Sequence, residues 1–132
     1  MTSRKRTEVK TLIVDDSIFM RDYLRHLGEK MGMECEEAGD GRHALDMLRS
    51  TDDFELVLLD VNMPVMNGLE CVRMMRATGL GSGAKVMMVT TAADNALVQG
   101  ALEAGADEYL TKPFTVDALR EKLCLMGFVD AA

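Results

Sequence analysis

The chain predicts a doubly wound α/β fold: one (βα)5 domain whose five-stranded parallel sheet runs in the order 2-1-3-4-5, with helices on both faces. First, short aliphatic runs alternate with amphipathic segments at a steady rhythm along the 132 residues, the pattern of successive βαβ units. Second, the runs starting at Val9, Leu56 and Val86 are almost wholly apolar, as strands covered on both faces must be, while those around Cys35 and Glu108 carry charges that sheet edges tolerate. Sequential strands mostly neighbour one another and crossovers are right-handed, so this order is the simplest solution. Third, Leu56-Val57-Leu58-Leu59 runs straight into Asp60 and halts at Pro64. That places a carboxylate beyond the carboxyl end of a central strand, where open α/β sheets bind ligands.

Taken in order, Val9 to Val14 is expected as strand β1. Met20, Leu24, Leu27 and Met31 then fall at helical spacing in α1, Ser17 to Met31, which Gly32 closes. Cys35 to Ala38, interrupted by Glu36 and Glu37, is β2; Gly39-Asp40-Gly41 turns the chain, and Ala44, Leu45 and Leu48 mark amphipathic α2. Leu56 to Asp60 is β3, and after the Pro64 to Gly68 loop Leu69, Val72 and Met75 mark α3, ending near Gly79. Val86 to Val89 is β4; Asp94 to Ala104, with Ala96, Leu97, Ala101 and Leu102, is α4, closed by Gly105. Glu108 to Leu110 is β5, and Thr115 to Met126 is α5, buried through Val116, Leu119 and Leu123. Residues 1–8 are expected as a flexible basic tail, 9–126 as the domain and 127–132 as a C-terminal tail. The glycines of Gly79-Leu80-Gly81-Ser82-Gly83 precede a strand instead of opening a helix, the wrong place for a phosphate-cradling loop.

The bulk numbers exclude several classes. Hydrophobic residues are 48% and charged residues 28%, a globular balance, and no apolar run approaches the ~20 residues of a membrane span. The apolar stretch after the basic start ends at once in Asp15-Asp16, so no secretory segment follows and a cytoplasmic location is expected. A net charge of −7 lacks the basic surface that nucleic-acid backbones demand. Cys35, Cys71 and Cys124 are odd in number and widely spaced, which indicates neither a disulfide framework nor a zinc site. The 12 methionines read as adaptable core filler.

The chemistry gathers at one rim. β1 ends in Asp15-Asp16 and β3 in Asp60, and these strands flank the point where strand order reverses, so the carboxylates converge on one crevice. Like charges so close need a cation, and oxygen ligands without nearby His or Cys select Mg2+ or Mn2+. A lone Asp would more often merely cap α1; a pair facing a third acid favours the metal. Thr90-Thr91 at the end of β4 bring a hydroxyl to the rim, and Lys112 after β5 brings an ammonium. Singly these are turn formers and solvated charges, but together with a divalent ion they supply what a phosphoryl group requires. His26 and His43 fall on helices away from this rim and are expected at the surface.

Asp15-Asp16, Asp60, Asn62-Met63-Pro64, Gly68, Thr90 and Lys112-Pro113-Phe114 resemble the signature of bacterial response-regulator receiver domains, in particular the stand-alone chemotaxis, CheY-like type with its flavodoxin-like fold. The resemblance spans about residues 9–126. It implies that Asp60 is the phosphoacceptor, taking a phosphoryl group from a sensor histidine kinase, a histidine phosphotransfer protein or a small acyl phosphate. Asp16, Asp60 and the backbone carbonyl of Asn62 would bind Mg2+, with Asp15 acting largely through water, and Lys112 would pair with phosphoryl oxygens. Thr90 would move toward the phosphoryl group and let Tyr109 swing inward, reshaping the face made by α4, β5 and α5. Lys112-Pro113 resembles the family's cis peptide, which would aim the lysine inward.

Thr91 stands where the family usually has Ala or Gly, and Ala92 offers no polar group to orient a hydrolytic water, so slow self-dephosphorylation is expected. The chain is expected to be no enzyme beyond its own phosphorylation and dephosphorylation. It is expected to be a monomer that signals to a separate protein: a flagellar motor switch component, a phosphatase or a kinase. The enzyme-class rival is a haloacid dehalogenase-like aspartyl-phosphate phosphatase, which looks for a second Asp where this chain has Asn62. A phosphate-independent docking module is the other alternative, and the complete acid, hydroxyl and lysine set disfavours it.

Overall fold

The computed structural model describes residues 9–130, apart from the side chain of Ala92; the expected tail at 1–8 and the final residues of the expected C-terminal tail lie outside the described residues. Five strands, β1 (Val9–Val14), β2 (Met33–Ala38), β3 (Leu56–Leu59), β4 (Lys85–Thr91) and β5 (Glu108–Lys112), form one parallel sheet in the order β2-β1-β3-β4-β5. The helices between and after them are α1 (Ile18–Lys30), α2 (Gly41–Ser50), α3 (Gly68–Thr78), α4 (Asn95–Ala104) and α5 (Val116–Leu125). A 3-10 turn, Ala92–Asp94, leads into α4. The chain is therefore the doubly wound α/β fold that the strand polarities predict.

Alternation along the central strands builds the two core layers, because successive side chains of a strand leave on opposite faces. Val57, Leu59, Val86 and Met88 join the layer holding Ala44, Leu45, Leu48, Val72, Met75 and Ala101 of α2, α3 and α4. Leu56, Leu58, Met87 and Val89 join the layer holding Leu24, Leu27, Leu119 and Leu123 of α1 and α5. At roughly 1.5–3 kcal/mol for each fully buried aliphatic side chain, this two-sided burial fixes β3 and β4 as the interior of the sheet. Cys35 and Cys71 are buried in these layers as free thiols.

Helix starts carry their own side-chain caps. Ser17 accepts from Met20 N–H, Asp40 from His43 N–H and Thr115 from Ala118 N–H, while Asn67 and Glu70 form a reciprocal capping box on α3. α3 ends at Gly79 with φ 81°, a left-handed conformation that glycine adopts without steric penalty.

Several boundaries differ from the sequence reading. β2 begins earlier, at Met33, and β5 continues to Lys112, because ladder pairing with β1 and β4 extends strands whose local polarity is unfavourable. Val116, expected to be buried, is 38% exposed: it is the first residue of α5 and lies at the end of the packed face, whereas Leu119 and Leu123 one and two turns on are buried. Within α4 the buried residues are Val98 and Ala101, and Ala96 is exposed. Of the expected C-terminal tail, Phe128 N–H bonds back to Leu123 O, and Phe128 and Val129 pack against the core. Among the described residues no helix is long and apolar enough to cross a membrane.

Candidate functional site

Parallel strands all end on the same side of the sheet, which is how residues 97 positions apart come to touch. β3 leaves the ladder after Leu59, and Asp60 N–H still donates to Val14 O at 2.9 Å, so the backbone of Asp60 is pinned beside the end of β1. Asp15 N–H donates to Ala38 O at 3.2 Å, and its Oδ1 accepts from Ser17 N–H at 2.9 Å, which orients the carboxylate at the start of α1. The cap of α1 itself is Ser17, which leaves the second oxygen of Asp15 for other work.

The carboxylates do converge. Asp15, Asp16 and Asp60 each present an oxygen, and these oxygens lie within 4.8 Å of one another. Asp15 and Asp60 are buried, at 2% and 7% exposure, while Asp16 faces solvent. Lys112 Nζ approaches from β5, 2.9 Å from Asp15 Oδ2 and 3.8 Å from Asp60 Oδ1, and the Lys112-Pro113 peptide is cis. Burial, and next the charge of Asp15, push the Asp60 carboxyl up to about 6, against the opposing pull of Lys112 and the backbone N–H groups of Asn62 and Val61. Such a carboxylate is still mostly ionised at neutral pH, yet more basic than an exposed one, which suits a nucleophile.

Thr90 is buried at the end of β4, and its hydroxyl donates to Asp94 Oδ2 at 3.2 Å; Thr91 donates to the same oxygen at 2.9 Å. Tyr109 on β5 is 41% exposed, with Lys122 Nζ 4.9 Å above its ring and held by Glu108 Oε1 at 2.9 Å. Asn62 is exposed in the loop after β3, next to Asp60 in the chain. His26 and His43 are both exposed.

Sequence reasoning missed three residues that touch this constellation. Arg21 on α1 donates from Nη1 to the carbonyl of Asp15 at 2.7 Å and from Nε to Glu37 Oε1 at 3.0 Å. Arg25 holds the other oxygen of Glu37 at 2.6 Å, and that bond foremost, with burial opposing and Arg21 adding, keeps the Glu37 carboxyl below its usual range. Besides Arg21, the other two are Lys122, above the Tyr109 ring, and Asp94, which accepts from Thr90. An acid four residues after Thr90 was a visible signal, but it reads equally well as an ordinary helix cap.

Comparison with known proteins places the chain in a family. Residues 11–124 match the family described as "Response regulator receiver domain". A chemotaxis protein CheY homolog of Campylobacter jejuni is 40% identical over 116 residues, covering 87% of this chain and 89% of the relative. The solved structure of the chemotaxis response regulator CheY4 of Vibrio cholerae superposes with a TM-score of 0.80 at 36% identity, over 88% of this chain and 96% of that one. A CheX–CheY complex with BeF3 and Mg2+ from Borrelia burgdorferi gives 0.79 at 27% identity, over 89% and 87%. With the acids, threonine and lysine on one rim, and relatives of this kind along nearly all its length, the chain belongs to the response regulator receiver domains of two-component signalling and is CheY-like.

Proposed function

We propose that the chain is a phosphorylation switch, and one observation carries the reading: three carboxylate oxygens within 4.8 Å of one another with a lysine 2.9 Å from one acid and 3.8 Å from another. Asp60 is the phosphoacceptor. One of its oxygens forms a bond to phosphorus as the phosphorus–nitrogen bond of a phosphohistidine on a sensor kinase or phosphotransfer protein breaks. Lys112 stands where it can turn from Asp15 to the new phosphoryl oxygens.

The oxygen-only donor set of Asp15, Asp16 and Asp60 fits Mg2+, with Mn2+ as an alternative, and Asn62 would add its backbone carbonyl. When bound, the ion neutralises the charge that develops on the transferring group. The Borrelia CheY, solved with BeF3 and Mg2+, supports this ligand pair. Asp15 and Asp16 leave the crevice strongly anionic, a charge the ion would offset, and buried Thr90 would donate one hydrogen bond to the phosphoryl group once released from its present acceptor.

Thr90 and Tyr109 make up the switch, and the α4-β5-α5 face is its output. The target is a separate protein, a flagellar motor switch component, a phosphatase or a kinase, and the site of action is the cytoplasm. The receiver domain spans residues 9–126, acts as a monomer and loses its phosphoryl group slowly by itself.

Incubation with acetyl phosphate and Mg2+ tests this reading by intact mass spectrometry. Wild type gains one phosphoryl group, and Asp60→Asn gains none. Labelling that persists in Asp60→Asn, or that does not need Mg2+, overturns it.

A further inference from the structure

We infer that Asp94 is a positioning residue that holds the Thr90 hydroxyl away from the phosphoryl site, so that its carboxylate sets how readily the receiver adopts its phosphorylated arrangement. The inference rests on the reading of Asp60 as phosphoacceptor and adds a residue that reading does not contain.

A threonine hydroxyl has one proton and gives it to one acceptor at a time. An ionised carboxylate only accepts, so in the pair at 3.2 Å the proton belongs to Thr90 and points at Asp94 Oδ2. Thr90 is 2% exposed, and a buried hydroxyl does not leave its partner without another to receive it. The phosphoryl oxygens on Asp60 are such a partner. Donation to them means release from Asp94, and the two anions compete for one proton.

The placing of Asp94 makes it a dedicated acceptor. It stands at the N-cap position of α4, where an Asp ordinarily accepts from backbone N–H groups of the first turn, yet it makes no such capping bond. Its Oδ2 instead takes both threonine hydroxyls, Thr91 at 2.9 Å and Thr90 at 3.2 Å. Thr91, the shorter bond, anchors the carboxylate over the end of β4. Because Asp94 is itself the last residue of the turn that opens α4, release of Thr90 also removes one of the two threonine bonds that tie β4 to the start of that helix.

A ligand that binds only the released arrangement has its apparent affinity reduced by the fraction of molecules already released. One hydrogen bond to a charged acceptor is strong enough to change that fraction by roughly fivefold or more. Beryllofluoride, the phosphoryl mimic, reads it directly when titrated into the Mg2+-saturated chain and followed by amide chemical shifts.

Asp94→Ala should lower the apparent beryllofluoride Kd by about fivefold, a hydrogen bond's worth. Asp94→Asn, which keeps an oxygen acceptor without the charge, should fall between it and wild type. In a Thr90→Val background the Asp94→Ala effect should vanish, and Thr90→Ser should restore it. An effect of the same size with Thr90→Val would show that Asp94 acts through α4 or through its charge alone, and would overturn the inference. So would wild-type affinity in Asp94→Ala. A wild-type chain that binds Mg2+ but not beryllofluoride would overturn the phosphoacceptor reading and this inference with it.

Discussion

Lys112 Nζ is 2.9 Å from Asp15 Oδ2 but 3.8 Å from Asp60 Oδ1, so the lysine neutralises chiefly the acid that is more deeply buried. Asp15 and not Asp60 is its closer partner. Removing one member of a buried pair leaves an uncompensated charge, at a typical cost of ~3–5 kcal/mol. Lys112 keeps some contact with water, so Lys112→Ala should lower the unfolding free energy by about 2–3 kcal/mol in EDTA, measured by urea denaturation. Mg2+ should return part of that loss, and an unchanged deficit on adding Mg2+ would count against metal binding at these acids.

Asp60 makes stability depend on pH with a definite sign. Its carboxyl is raised from 3.8 to about 6, so the folded chain binds that proton more tightly than the unfolded one. The associated stability is fully present below the unfolded value, is lost as pH climbs from about 4 to about 6, and is absent above. Asp60→Asn, uncharged and of similar shape, should therefore exceed wild type by about 2–3 kcal/mol near pH 7.5 in EDTA, with the gap closing toward pH 4. Thermal unfolding across that range checks it; a gap that is constant with pH would refute it.

Gly68 lets the start of α3 close over Asp60. A Cβ there would collide with the carbonyl oxygen of Asp60 and lie 2.9 Å from both Met88 Cε and Val61 Cα. Two of these atoms are backbone and cannot step aside. Gly68→Ala should destabilise the chain by about 2 kcal/mol and weaken Mg2+ binding, both measurable by denaturation with and without the ion.

Val65 carries the strain of the loop between β3 and α3. It has φ 69° and is 78% exposed, an uncommon conformation for a β-branched residue that gains little from burial in return. Val65→Asn, which tolerates left-handed backbone, should stabilise by about 1 kcal/mol and raise the melting temperature by a few degrees. A lower melting temperature would show that the valine makes a contact worth more than the strain.

The fold was legible because it is written in short-range pattern. The apolar stretches around Leu56 to Leu59 and Val86 to Val89 can only be strands covered on both faces, and the acids of β2 and β5 can only sit at edges. The strand order then follows, and with it the meeting of Asp15, Asp16, Asp60, Thr90 and Lys112, since parallel strands deliver their carboxyl ends to one rim. The reading was weaker at helix ends. Val116 has the spacing of a buried residue, but spacing does not say where the packed face stops.

By itself, then, the sequence determined which residues share the rim, and only the tertiary structure decided what each is bonded to there. Lys112 pairs with Asp15 across 97 positions, Thr90 gives its proton to Asp94, and Arg21 braces the Asp15 carbonyl. Periodicity records the face a side chain leaves from, within a few residues. Hydrogen bonds depend on differences of a few tenths of an ångström between groups far apart in the chain, and those distances exist only once the sheet has assembled.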